Sequence, residues 1–591
     1  MSRPAIVAPL LFLASVALSY LFADRYLPSP DEGASLAAAA KILDGAVFYR
    51  DIDAYPFPGA AYLLALGMAI FGEHLSVARG LAGAGFVCMV LSSYAAALVL
   101  VDRPRAALFG VALLSLKFLV FPNFTMFVYP DFAMTAAMTA LAIFLRHPYR
   151  GASIRLVVAG IFAGLAVVTK QNVGLYVGLA MAGLLLWPEI AGGARRAVAR
   201  HRWSEVSAFV AGIAVPVGIM ASYFAAQGLL GRMIYSGLLR PFVGYLPTSG
   251  VSVLPPLQWW ELGSLLWPRD SPYLVLLYGQ LLEEGILPGA SLQGVYALAG
   301  EVVARLIYTG LPVAFLGCAF LWLRMRRSSE AEPAVRGRRV RFFGSAAVCL
   351  AITASAFPRA DMSHILLVYP AVLLTLFSLL VSRALAGGDS RPAGLETRMP
   401  TRLAAVVVAF VATTGALAIH HDSLLERRLT LERAELWVRP KDMWVQSLVQ
   451  TVRERVPEGE PLFIYGHEAQ LYFMADRYFP WPFTQLYPGM AGGGDGDVLA
   501  RILVEQRPRL IVQGVTHWPG MPTLTEYTAK LVATIERDYV RATKAMFLAR
   551  PPQGTIPPSF ILQLWRLRGG DSSLSGEFSN RPSTPSASAV R

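Results

Sequence analysis

Long apolar runs separated by short arginine-rich connections set the pattern of this chain from its first residues to about His420; beyond that, apolar positions come singly or in short bursts. Crossing the hydrocarbon of a bilayer takes about 20 apolar residues in a helix. Eleven runs read as such spans: Ala5–Ala23, Val77–Val101, Ala106–Phe121, Phe132–Leu145, Ile154–Thr169, Val173–Trp187, Val206–Ala226, Val302–Leu323, Phe342–Phe357, Ile365–Val381 and Leu403–Ile419. One further run, Gly59–Phe71, is short and is bracketed by Pro56, Pro58 and Gly72, residues that punctuate helices. We place it as an interfacial or half-buried helix on the outer face.

Loop charge tests that threading. With the N-terminus inside, the even-numbered connections are cytoplasmic, and these carry the arginines: Arg103 and Arg105; Arg146, Arg150 and Arg155; Arg195, Arg196, Arg200 and Arg202; the Arg324–Arg341 stretch; Arg391 and Arg398. Counting Gly59–Phe71 as a full span would reverse the parity and put them all outside. Four segments then face outward: residues 24–76, the "NFTMFVYPD" corner ending at Asp131, the long loop 227–301, and everything after His420. The first run opens basic, as a secretion signal does, but it is longer than a usual signal core and is followed by many spans, so we read it as a retained helix.

Past residue 420 the periodicity changes. "PLFIYG" (Pro461–Gly466) and "RLIVQGV" (Arg509–Val515) read as short buried strands, whereas "DVLARILVEQR" (Asp497–Arg507) and "TLTEYTAKLVATIERDY" (Thr523–Tyr539) have helical apolar spacing. Alternating strands and helices predict a small extracytoplasmic α/β domain over residues 421–568. The Ser/Pro/Gly-rich remainder, 569–591, has too few large apolar residues to fold. The expected fold class is thus a polytopic α-helical membrane protein of about 11 transmembrane helices, residues 1–420, carrying that domain, in the inner (cytoplasmic) membrane.

Composition agrees: 55% of the 591 residues are hydrophobic and 15% charged, against roughly 45–50% and about 25% in soluble domains. The net charge of +13 lies in the interhelical clusters, which fits topology-setting loops and argues against nucleic acid as a partner. Cys88, Cys318 and Cys349 lie singly in apolar runs, so no metal or disulfide framework is indicated. A phosphate-binding G-x-x-x-x-G-K-[ST] loop, a hydrolase nucleophile elbow and a dinucleotide fingerprint are all missing from the sequence.

Candidate chemistry gathers at the outer corners. Asp31 and Glu32, in "PSPDEGASLAAAAKILDG", open a short helix for which Ser29 or Asp31 is the expected cap. Asp131 opens another helix after Pro130, on the same face, so two acidic corners can converge at one membrane boundary. Lys170 stands between two apolar runs, where it either snorkels to the interface or neutralises a lipid-linked phosphate. Arg359, Asp361 and His364 crowd one otherwise apolar turn; arginine suits bidentate phosphate contact and histidine moves protons near neutrality, although Arg359 and Asp361 also suit a simple local pair. In the C-terminal domain His467 and Glu468 follow an expected strand and are assigned to substrate binding. No zinc spacing accompanies them.

The order of these features resembles the GT-C superfamily of integral-membrane glycosyltransferases, among them bacterial protein O-mannosyltransferase-like and aminoarabinose transferase-like enzymes. The resemblance rests on the acidic first outer loop, "AYPFPGAAYLLALGMAIFGEHLSVARGLAG", the "YPD" corner, "GIFAGLAVVTKQN" and the outer C-terminal domain. It implies transfer of a sugar from a polyprenyl-phosphate donor to a lipid, glycan or protein acceptor outside the cytoplasm, by inversion. Asp31 would be the base, with Glu32 beside it and Asp131 in support; Lys170, Arg359 and His364 would hold the donor phosphate, and Asp361 would contact substrate. Phe57 stands in "PFPG" where aminoarabinose transferase-like members carry a lysine, which counts against that narrower assignment. The scattered acids leave a requirement for a divalent cation open. A transporter or flippase of lipid-linked glycans is the alternative; it would want charges at mid-membrane depth in broken helices.

Overall fold

The structure, a computed structural model, describes residues 6–121, 123–147, 153–187, 195–246, 250–266, 272–273, 290–326, 333–380, 401–484, 486, 496–514, 524–542 and 562–568. Every one of the eleven apolar runs lies in a helix: α1 (Val7–Leu21), α4 (Leu75–Leu100), α5 (Arg103–Leu119), α6 (Tyr129–Phe144), α7 (Ile154–Thr169), α8 (Gln171–Leu186), α9 (Arg195–Ala226), α10 (Ala290–Arg326), α11 (Pro333–Ala354), α12 (Met362–Leu379) and α13 (Thr401–Asp422). Between α1 and α4 come two more, α2 (Pro30–Leu43) and α3 (Gly59–Phe71). Among the described residues five helices are long and apolar enough to cross a membrane: α4, α12, α13 and the stretches Arg202–Ala226 and Gly294–Met325. The chain is a multi-pass membrane protein, and the expected number of eleven crossings exceeds what length and hydropathy alone support. The reason is geometric. Helices of 15–17 residues such as α1, α7 and α8 span only about 22–26 Å at 1.5 Å per residue, short of the ~30 Å hydrocarbon thickness.

Small residues let the helices approach closely. Gly160 of α7 and Gly212 of α9 face one another, each against the other helix's backbone, so a Cβ on either would collide. Such small-residue seams replace the hydrophobic drive that is missing between helices in lipid. Helix α10 starts at Ala290, earlier than its apolar run, because its first three turns are polar enough to escape a hydropathy reading.

The C-terminal part is α/β, but it is not a separate unit. An antiparallel hairpin of β1 (Arg427–Leu431) and β2 (Ala434–Val438) takes up the chain leaving α1: the Tyr26 N–H donates to Trp437 O and the Trp437 N–H to Asp24 O. Helix α14 (Trp444–Arg455) leads to a second sheet of order β3-β4-β6-β5, with β3 (Phe463–Tyr465) parallel to β4 (Leu510–Gly514) and β6 (Leu562–Leu567) antiparallel to both β4 and β5 (Tyr539–Arg541). The two expected strands are β3 and β4; the hairpin, β5 and β6 were not foreseen. The "DVLARILVEQR" helix is α16 (Asp497–Gln506), following α15 (Gln470–Ala475), whereas "TLTEYTAKLVATIERDY" breaks at Thr528 into a single turn and α17 (Ala529–Asp538). One hydrophobic core joins this domain to the segment between α1 and α4: Leu36 and Ala40 of α2, Leu64 and Met68 of α3 and Leu75 of α4 are buried with Leu436, Phe463 and Trp481. Gly33 of α2 lies so close to the Gln470 backbone at the start of α15 that a Cβ there would overlap it. The tail 569–591 lies outside the described residues.

Candidate active site

Helix α2 starts as its sequence demands. The Ser29 hydroxyl accepts the Glu32 N–H at 3.3 Å, Pro30 occupies the first turn, and both acids sit where the helix dipole favours negative charge. The two neighbours then part company. Asp31 is exposed. Glu32 is fully buried and accepts Arg79 Nε on Oε1 and Arg79 Nη2 on Oε2, both at 2.7 Å, together with the Phe127 N–H at 2.8 Å. Arg79, itself 2% exposed, also donates to Arg25 O at 3.0 Å and to Thr125 Oγ1 at 3.2 Å. Glu32 was grouped with Asp31 as catalytic; its carboxylate is instead committed to a buried knot that ties α2 to α4, to the exit of α1 and to the corner before Asp131.

That corner packs against the start of α2. It enters α2 through Phe127, and the Ser29 N–H donates to Met126 Sδ at 3.3 Å. Asp131 lies in the first turn of α6, where its Oδ1 is buried and has no hydrogen-bond partner among the described residues. It feels two ammonium groups, Lys117 and Lys170. Lys117 is 1% exposed, donates to Phe124 O at 2.6 Å and lies 4.8 Å from the centre of the Phe86 ring.

Lys170 is the single extended residue between α7 and α8. Burial pulls its ammonium down to about 8, while Asp361 and Asp131 pull the other way. Its two followers fasten the surroundings. Gln171 donates to Gly237 O at 2.6 Å and Tyr55 O at 3.1 Å and accepts the Phe57 N–H at 3.2 Å; Asn172 donates to Ser355 O at 2.9 Å. Lys170 is thus electrostatically coupled both to Asp131 and to Asp361 of the 357–364 corner.

In that corner Arg359 Nε donates to Asp361 Oδ2 at 2.5 Å, and Asp361 Oδ1 accepts both the His364 N–H at 3.0 Å and His364 Nδ1 at 2.7 Å, capping α12. Burial alone would raise the Asp361 carboxyl, yet His364 and Arg359 hold it well below the usual carboxylate range. The local pair weighed for Arg359 and Asp361 therefore forms, and Asp361 acts on its neighbours. His364 remains partly exposed.

His467 and Glu468 are 4% and 0% exposed, between β3 and α15. Glu468 is lodged between Gly466 and Gly514, where no side chain could share the space. Both lie buried in the segment that leads to the Gln470 backbone packed against Gly33. Sequence reasoning passed over Lys117, Arg79 and the Asp53–Arg240 pair, 2.5 Å apart with Arg240 stacked 4.9 Å from the Tyr55 ring centre. A signal existed for the first two, since each is a lone cation in an apolar helix. Among the described residues no three His, Cys, Asp or Glu side chains are grouped to hold a metal ion. An open surface depression lined by Leu43, Met68, Glu73 and Arg433 lies at the other end of α2 from these charges.

Residues 55–220 match the profile of the dolichyl-phosphate-mannose-protein mannosyltransferase family. In structure the chain is similar to the oligosaccharyltransferase of Archaeoglobus fulgidus tethered with an acceptor peptide containing the NVT sequon, at 12% identity and a TM-score of 0.50 over 95% of this chain and 75% of that one. The same enzyme in complex with zinc and sulfate gives 14% identity and 0.50, over 94% and 74%. It is also similar to ArnT from Cupriavidus metallidurans bound to undecaprenyl phosphate, at 14% identity and 0.44, over 98% and 100%. No curated protein matches the chain by sequence. At these identities the likeness to solved structures is one of fold, and the mannosyltransferase profile falls on α3 to α9, the helices that carry Lys117, Asp131 and Lys170. The chain thus shares the fold of the Archaeoglobus oligosaccharyltransferase, and over residues 55–220 it matches the mannosyltransferase family.

Proposed function

We propose that this protein moves a sugar from a polyprenyl-phosphate-linked donor to an acceptor on the outer face of the cytoplasmic membrane, with its N-terminus inside and its α/β domain outside. The observation that carries the reading is the half-buried Lys170, set at a one-residue break between helices and electrostatically coupled to both Asp131 and Asp361. A cation buried at such a boundary is costly unless an anion answers it, and a lipid-linked phosphate is such an anion. The family profile over residues 55–220, described for dolichyl-phosphate-mannose-protein mannosyltransferases, supports the same chemistry.

In this mechanism the acceptor oxygen attacks the anomeric carbon as its proton passes to the Asp31 carboxylate, which needs no nucleophilic partner because one displacement inverts the centre. The bond from that carbon to the phosphate oxygen breaks, and the polyprenyl phosphate keeps the electron pair. Lys170 and Arg359 stabilise the charge that develops there, and a preorganised cation does so without reorganisation cost in a low-dielectric site. Asp131, buried beside Lys117 and Lys170, fixes the cationic side of the site. Glu32, held by Arg79, fixes the helix that presents Asp31. The test is sugar transfer in membranes of a host lacking the gene, supplied with its own polyprenyl-phosphate-sugar fraction. Asp31→Asn should abolish transfer while leaving the protein folded; a wild-type rate in that variant would falsify the assignment.

A further inference from the structure

Helix α10 contains another buried arginine with no place in the proposed reaction. Arg305 and Glu301, one turn apart in α10, are both fully buried, and Arg305 Nε and Nη2 lie 2.8 and 2.7 Å from Glu301 Oε1. Arg305 also donates to one stretch of short 3-10 turns: to the carbonyls of Gln258 at 2.6 Å, Glu261 at 2.7 Å, Pro255 at 3.3 Å and Pro256 at 3.4 Å, and to Ser264 Oγ at 3.1 Å. Glu301 takes the Gly263 N–H at 2.9 Å, and Trp259 Nε1 donates to Thr309 Oγ1 at 2.9 Å. One ion pair therefore ties together a run of backbone built only from short 3-10 turns, with no regular α-helix or sheet within it.

The other side of that stretch is apolar and bare. Trp260 is 79% exposed, Leu254 63% and Leu262 50%. This surface continues onto the exposed apolar residues of α10, Val295, Leu298 and Leu306, which belong to a helix long and apolar enough to cross a membrane. Irregular backbone survives at membrane depth only when the protein itself satisfies its polar groups, and exposed tryptophan beside aliphatic residues is the composition of the bilayer interface. The exposed Glu261 in the same stretch keeps it at headgroup level rather than in the hydrocarbon.

We propose that residues 251–266 form a seat in the bilayer interface, its apolar face at the boundary of phospholipid headgroups and acyl chains and its backbone kept dry by Arg305. The partner is the phospholipid bilayer. The seat reaches the 357–364 corner directly: the Val251 N–H donates to Pro358 O and Val251 O accepts the Ala360 N–H, both at 3.1 Å, while Tyr308 Oη donates to Ala360 O at 2.6 Å. Arg359 is thereby held at headgroup depth, whatever reaction the protein performs.

The test uses the full chain in nanodiscs of phosphatidylcholine, with or without bromine on the acyl chains, comparing wild type with Trp260→Phe. The difference in emission between the two isolates Trp260. Brominated lipid should quench that difference signal by roughly half or more, with aqueous iodide having little effect, as for an interfacial indole. Quenching by iodide and not by bromolipid would overturn the proposal in favour of a solvent-exposed loop; insensitivity to both would overturn it in favour of burial against another protein copy. Arg305→Met should shift the same signal from bromolipid to iodide quenching. If that variant does not fold, the Trp260 comparison decides alone.

Discussion

Replacing Arg79 by methionine tests whether one buried ion pair holds the start of α2. The substitution keeps an unbranched apolar stem but removes both 2.7 Å bonds to Glu32 and the donations to Arg25 O and Thr125 Oγ1. Glu32, with no exposed surface, is left with the Phe127 N–H. Removing one partner of a buried pair costs about 3–5 kcal/mol because the other charge is stranded. At 1.36 kcal/mol per tenfold, that corresponds to roughly two to three and a half decades of faster local opening. Amide hydrogen exchange of α2 and of residues 125–127 in nanodiscs reads this directly, and the remaining helices serve as internal controls. The double variant Arg79→Met/Glu32→Leu removes the orphan charge and should recover most of the loss, since an apolar replacement of a buried pair is often neutral. Arg79→Lys should fall between, because an ammonium cannot make the fork to both carboxylate oxygens. Exchange in Arg79→Met within a few-fold of wild type, or no recovery in the double variant, would refute the reasoning.

Three further outcomes follow from the site. Lys170 is held down to about 8 by burial, so its charge is present below that pH and is lost above it; the apparent KM for the donor should rise about tenfold per pH unit above 8, and a flat profile to pH 10 would show that Lys170 does not meet the phosphate. Asp361→Asn turns one of the two accepting oxygens into a donor, so Arg359 and His364 can no longer both be answered, and removes a charge from the start of α12; thermal unfolding should register a loss of about 1–3 kcal/mol, with the donor KM raised more than kcat is lowered. Gly33→Ala drives a methyl into the Gln470 backbone, a misfit of about 1–3 kcal/mol, and should expose the α/β domain to limited proteolysis at concentrations that leave wild type intact.

Helix positions, the acidic corners and the isolation of Lys170 were legible in the sequence because they depend on local properties: apolar run length, loop charge and the residues that start helices. "PSPDEGAS" announces a capped helix whatever surrounds it, and the arginine-bearing connections announce a bundle. The sequence also identified β3 and β4, whose continuous apolar runs mark buried strands. It did not separate Asp31 from Glu32, adjacent acids with the same local grammar, because their difference is made by Arg79, 47 positions away. Nor did it find the joint core of α2, α3 and the α/β domain, or the exact depth of each helix, since apolar residues report that they are buried but not against what. The helical membrane class and the positions of its helices were thus properties of the chain read along its length. Which carboxylate is exposed, which cations answer Asp131 and which arginine keeps a loop dry were decided only when distant segments met in a low-dielectric interior, where an unpaired charge costs several kcal/mol and the pairing is therefore specific.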